Sequence, residues 1–219
     1  MTNRYIHIFS FVAALLMLAT FSACEADDKI VFVTGTTTEP EPELNKENGH
    51  EWVDLGLSVK WATCNVGASK PEEYGDYFAW GETTPETTYT TSNYSYSDNP
   101  TVLPLGNDAA HTNWGGSWRM PTDAELTELR EQCTWTWTSQ NGVNGYKVTS
   151  QSNGNSIFLP AAGIREDSSL NYAGIFGYYW SSSLNTDDPD YVWGVDLRSS
   201  GISDTSKRSL GHSVRPVCP

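Results

Sequence analysis

The sequence predicts an α+β domain made mostly of antiparallel strands, with one or two helices and long loops, and three observations carry that prediction. Apolar and polar residues alternate in short runs, the period of strands that bury one face. A single stretch, after Pro121, joins a helix start signal to helical apolar spacing. The segments between are rich in Ser, Thr, Asn and Gly and show no periodicity, so they link strands rather than extend them.

In chain order, an apolar run from Ile8 to Phe21 ends in Phe21-Ser22-Ala23-Cys24 and is followed by acidic sequence. This reads as a lipoprotein leader, residues 1–23, cleaved before a Cys24 that carries the lipid; the run is too short for a comfortable permanent span. Phe21 stands where such leaders usually have leucine, and a non-lipidated signal peptide cut elsewhere is the alternative. Residues 24–48 contain Thr36-Thr37-Thr38-Glu39-Pro40-Glu41-Pro42-Glu43 and bury too little to fold, which predicts a solvated tether. The folded domain is then expected over 49–219. Val53, Leu55, Leu57, Val59 and Trp61 alternate around Gly56, predicting a hairpin or bent strand. Tyr77, Phe78 and Trp80 suggest another short strand, and 83–113 reads as a long surface excursion.

The helix is expected after Trp118-Arg119-Met120-Pro121, where Thr122 and Glu125 stand in capping-box relation and Leu126, Leu129 and Cys133 share one face. Tyr146–Thr149 and Ile157–Leu159 flank the turn-rich 151–155 and predict a hairpin. Three further strands are expected at Gly177–Ser183, Tyr191–Leu197 and His212–Val217. Trp118, Trp180 and Trp193 are expected in the core. Arg215, in an apolar strand, is expected to pair with a buried carboxylate or with carbonyls.

The formal net charge is −14, and a leader holding one basic and no acidic residue leaves the mature chain more negative. Such a surface repels nucleic acid and anionic lipid, so membrane contact is expected through the lipid alone. With Cys24 lipidated, Cys64, Cys133 and Cys218 allow one disulfide in any of three pairings, or three buried thiols.

Four ordered segments, Glu51–Ala68, Trp118–Thr122, Tyr179–Ser183 and Ser213–Val217, resemble the Fibrobacter succinogenes major paralogous domain of exported Bacteroidetes proteins. The resemblance spans roughly residues 50–218 and implies a C-type-lectin-like fold, distantly similar to the formylglycine-generating enzyme and to retroelement-diversified proteins. It implies no particular activity, because that fold hosts many. The acidic Glu25-Ala26-Asp27-Asp28 resembles the export signal of surface lipoproteins, implying an outer-membrane protein that faces the cell exterior.

Enzyme chemistry finds little footing. No copper-binding cysteine pair lies between Cys133 and Cys218, no spacing nominates a carboxylate pair, and no histidine accompanies a nucleophile elbow. Asp187-Asp188-Pro189-Asp190 offers hard oxygens on a turn, so Asp187, Asp188 and Asp190 are the calcium candidates; a solvated turn shaped by Pro189 is the alternative. The loops around 165–171, 185–191 and 198–208 combine hydrogen-bonding side chains with aromatic surface. Tyr172, Asn185, Asp188, Tyr191 and Arg198 are therefore the ligand candidates. The expected function is non-catalytic binding of an extracellular glycan or protein, without a cofactor, and the alternative is a structural subunit of a cell-surface assembly.

Overall fold

A computed structural model describes residues 45–198 and 204–219, and Cys24 with the expected leader and most of the tether lies outside them. The strands are β1 (Lys46–Glu47), β2 (His50–Val53), β3 (Lys60–Ala62), β4 (Tyr77–Phe78), β5 (Cys133–Gln140), β6 (Val143–Ser150), β7 (Ser156–Pro160), β8 (Ile164–Glu166), β9 (Ser169–Asn171), β10 (Gly177–Leu184), β11 (Tyr191–Leu197), β12 (Asp204–Lys207), β13 (His212–Ser213) and β14 (Val217–Cys218). The helices are α1 (Ala109–Trp114) and α2 (Asp123–Gln132). Four sheets follow, with orders β1-β2-β3-β14, β12-β11-β10-β13-β4, β5-β6-β7 and β8-β9. All named strand pairs are antiparallel except β10 with β13, so the expected α+β class holds. Among the described residues no helix is long and apolar enough to cross a membrane.

Helix α2 starts as the sequence predicts. Thr122 accepts from the Glu125 amide, the Glu125 carboxylate accepts from the Thr122 amide, and Arg119 adds a two-pronged pair to Glu125 at 2.8 and 2.5 Å. Burial would raise the Glu125 carboxyl, but the Arg119 and Thr122 hydrogen bonds outweigh it and hold the group below its ordinary value. The helix does not reach Cys133, which closes it in extended conformation and opens β5.

Other expectations need correction. Lys46 and Glu47 belong to a strand rather than to the tether, because they pair with Glu51 and His50. The expected strand over 212–217 divides: His212–Ser213 joins one sheet and Val217–Cys218 another. Between them Arg215 turns inward and Pro216 offers no donor, so the ladder cannot continue. The excursion 83–113 is packed, not a surface ribbon: Tyr89, Leu103, Ala109 and Ala110 are buried, and its backbone bonds β10 at Ser182 and Leu184. Trp193 is half-buried rather than core. Cys64, Cys133 and Cys218 stand as three free thiols, with no disulfide among them.

The core falls into two large clusters. One gathers Phe78, Trp80, Trp118, Met120 and Trp180, the other Leu55, Trp61, Leu129, Val148, Leu159 and Leu197. Three of the four large buried indoles find carbonyls for their N–H groups: Trp80 donates to Ser181, Trp180 to Phe78 and Trp118 to Glu47, at 3.0, 2.7 and 2.7 Å, while the Trp61 N–H is buried without a partner among the described residues. Arg215, 1 % exposed, donates to the Asn65 side chain and to the carbonyls of Ala62, Thr63 and Phe158. Its partners are thus neutral dipoles, the second of the two arrangements expected, and they join β3 and β7 to the C-terminal segment.

Candidate functional site

A groove of about 640 Å³ forms where three segments meet. The excursion supplies Tyr94, Ser95, Tyr96, Ser97 and Asn99; the β10–β11 connection supplies Pro189, Asp190 and Tyr191; the end of β12 supplies Lys207, followed by Arg208 and Ser209. Its volume lies within the ~300–1,000 Å³ common for ligand pockets.

Arg208 holds these segments together. Its guanidinium is buried and donates to the Tyr94 hydroxyl (2.5 Å), Asn99 Oδ1 (2.7 Å) and the carbonyls of Tyr96 (3.1 Å), Asp98 (2.7 Å) and Pro189 (3.2 Å). The same group lies 5.0, 5.2 and 5.5 Å from the rings of Trp80, Tyr94 and Tyr96. A cation in a ring cage with every donor direction used is a fastener, not a free hook for an anion. The Tyr94 hydroxyl donates in turn to the Trp80 carbonyl at 2.7 Å, and burial, offset in part by Arg208, pushes it up to about 12. The ring of Tyr96 lies directly on the backbone at Gly81, whose positive φ and missing Cβ make the approach possible; a Cβ there would stand 2.1 Å from the ring.

Of the ligand candidates, Tyr191 lines the groove and is half-buried. Asn185 and Asp188 shape the turn beside it: Asn185 Oδ1 accepts from the Asp187 amide, Asp188 Oδ1 from the Asp190 amide, and the Asp188 carbonyl from the Tyr191 amide. Tyr172 and Arg198 lie elsewhere. Tyr172 is 54 % exposed and meets Phe176, which Arg198 also overlies, and Arg198 binds Asp196 at 2.6 Å. This second group sits at the Gly177–Leu197 end of the β10–β11 hairpin and the turn group at the other. β10 is 8 residues long, so about 3.3 Å per residue separates the two groups by roughly 23 Å. The five candidates therefore do not form one site.

The calcium candidates do not assemble a cage, since among the described residues no group of three or more His, Cys, Asp or Glu is placed to hold a metal. Asp188 uses a carboxylate oxygen on its own turn.

Two other places bring reactive types together. His50 and Cys64 line one pocket of about 310 Å³. Burial lowers His50 and raises Cys64, opposite to the shifts of a thiolate–imidazolium pair. His50 instead stacks flat on Trp114 at 3.7 Å. His212 lies 3.0 Å from the Ser206 hydroxyl in a pocket of about 100 Å³ that Asp196 also lines. His212 stacks on Trp180 at 3.6 Å, and burial pushes it down to about 3, which leaves a feeble base in a space too small for a substrate.

Tyr94, Tyr96 and Arg208 are the groove residues that sequence reasoning did not nominate. The available signal was the Tyr94-Ser95-Tyr96 alternation, one of the few aromatic pairs inside an otherwise polar run. No family model, curated protein or solved structure matches the chain.

Proposed function

We propose that this chain is a lipid-anchored outer-membrane protein, exposed at the cell surface, whose C-type-lectin-like domain of the major paralogous type binds an extracellular ligand without catalysis. The observation that carries the reading is the groove beside Arg208. Its walls are tyrosine rings and its edges are serine, threonine and asparagine groups, with Lys207 and Asp190 opposite in charge and the Arg208 cation taken up by its own hydrogen bonds. Such a lining suits a hydroxyl-rich, weakly charged ligand: rings stack on the apolar faces of a sugar while short polar side chains meet its hydroxyls. A glycan fits this description better than an acidic or basic peptide does, and a protein with a small neutral epitope comes next. No cofactor is assigned. A non-catalytic role is supported by the shifts at His50, Cys64 and His212, each away from reactivity.

The test is an array of glycans and surface proteins, probed with and without calcium. Binding lost in Tyr191→Ala and in Ser95→Ala, but kept in Tyr172→Ala, assigns the ligand to the groove. Loss in Tyr172→Ala alone moves the ligand to the Phe176 end of the hairpin and ends this reading. Loss on chelation returns the Asp187–Asp190 turn to consideration as a calcium site. A second reading, a structural subunit of a cell-surface assembly, is favoured by one observation: β5 is an edge strand without a charged residue.

A further inference from the structure

Strand β5 lies at one edge of the β5-β6-β7 sheet, and among the described residues no strand or isolated bridge pairs with its outer side. Edge strands are normally blunted by a charge, a proline, a bulge or short length. β5 has none of these: it runs 8 residues, CTWTWTSQ, in unbroken register with β6. From Gln132 to Tyr146 there is no charged side chain, in a chain of net charge −14. Two copies meeting along this stretch bring no formal charge of the strand itself against its twin.

The sequence of the edge also decides its partner. Thr134-Trp135-Thr136-Trp137-Thr138 reads the same in both directions. Two antiparallel copies related by a two-fold axis at Thr136 place Thr136 opposite itself, Trp135 opposite the other copy's Trp137, and Thr134 opposite its Thr138. Cys133 then faces Ser139, Gln132 faces Gln140, and Glu131 faces Asn141, whose side chain holds Glu72 of its own copy, so carboxylates approach one another only at the two ends of the pair. Both tryptophans already belong to a ring ladder, packing edge-on against Tyr146 of β6 at 5.8 and 5.1 Å. Trp137 remains 41 % exposed, with its outer side uncovered. In the symmetric pair that side receives Trp135 of the second copy, and aromatic cross-strand pairs of this kind are among the more stabilising in sheets. The threonines line the opposite face, where hydroxyls pair with hydroxyls.

We infer that β5 is a homodimer interface, at which two copies of this chain join edge to edge into a six-stranded sheet of order β7-β6-β5-β5-β6-β7. The pairing is isologous, so it closes on itself and leaves no further free edge on that side. The inference is independent of the ligand in the groove.

The test uses the full chain, expressed in a Gram-negative host and kept in its membrane or in mild detergent, with single cysteines placed at Thr134 and Thr136, which are exposed, and at Thr138, which is half-buried. Facing Cβ atoms in an antiparallel pair lie about 4.5–5.5 Å apart, within reach of mild oxidation or a short dithiol-reactive linker. Thr136→Cys is expected to give a covalent dimer on non-reducing electrophoresis, above the background of the unaltered chain. Thr138→Cys alone is expected to give none, whereas Thr134→Cys and Thr138→Cys chains made together should cross-link to each other. Thr136→Lys, which sets two ammonium groups face to face, should abolish the dimer, and mixing it with Thr136→Asp chains should restore it. Circular dichroism of each variant confirms that the fold is kept. Absence of a Thr136→Cys dimer, equal cross-linking from Thr138→Cys, or an adduct with a different protein or with the chain's own N-terminal segment would each overturn the inference.

Discussion

At the scale of single residues, His212 converts burial into pH dependence. Folding takes a histidine of ordinary value about 6.5 and holds it near 3. The folded state therefore binds fewer protons than the unfolded state between these values. Its stability is fully present above about pH 6.5 and falls as pH drops toward 3, with a slope near 1.4 kcal/mol per pH unit. Urea unfolding of the wild type and of His212→Phe, followed from pH 7 to pH 4, should show their difference changing by about that slope, with the variant less sensitive to acid. Equal slopes would mean that the imidazole is reached by water. Arg215 shows how much of a residue's role is legible in sequence. A cation amid Val214, Pro216 and Val217 announces burial, but whether carboxylates or carbonyls receive it depends on strands far away in the chain. Arg208 gave no such announcement, because it stands among Ser, Lys and Leu and acquires its ring cage only from the excursion.

Elements were legible where their punctuation is local. The α2 start is written in Thr122 and Glu125, and Thr122→Ala should cost about 1 kcal/mol in denaturant unfolding, with the Arg119–Glu125 pair left in place. A loss below about 0.3 kcal/mol would show that this pair alone holds the helix end. The extents of β10 and β11 follow from their alternation and their flanking turns. β5 is legible in the period-two run Thr134–Thr138 and the Asn141-Gly142 turn after it, but its junction with α2 is not, because Cys133 follows Gln132 with no glycine or proline between them and the helical spacing of Leu126, Leu129 and Cys133 reads through. The sheet that divides His212–Ser213 from Val217–Cys218 is decided by register with β10 and β3, a long-range property that period-two alternation does not encode.

For the whole molecule, the α+β class follows from counting periodic runs, whereas the groove is assembled from segments near residues 94, 190 and 208 and has no local signature. The lipid attachment we propose belongs to the chain rather than to the domain. In Cys24→Ala the protein should leave the membrane fraction while the groove's ligand binding and the unfolding midpoint stay unchanged; retention in membranes would remove the lipid anchor from the proposal. The pairing of β3 with β14 has a further consequence, for the time at which the fold forms. Val217 pairs with Trp61, and Arg215 reaches Ala62 across 153 positions. Neither contact can form until both of its distant segments are made, and contacts of such long sequence separation are slow to close. A fold that closes by pairing β3 with β14 stays open until both strands are made, and the export we propose needs a chain in that open state.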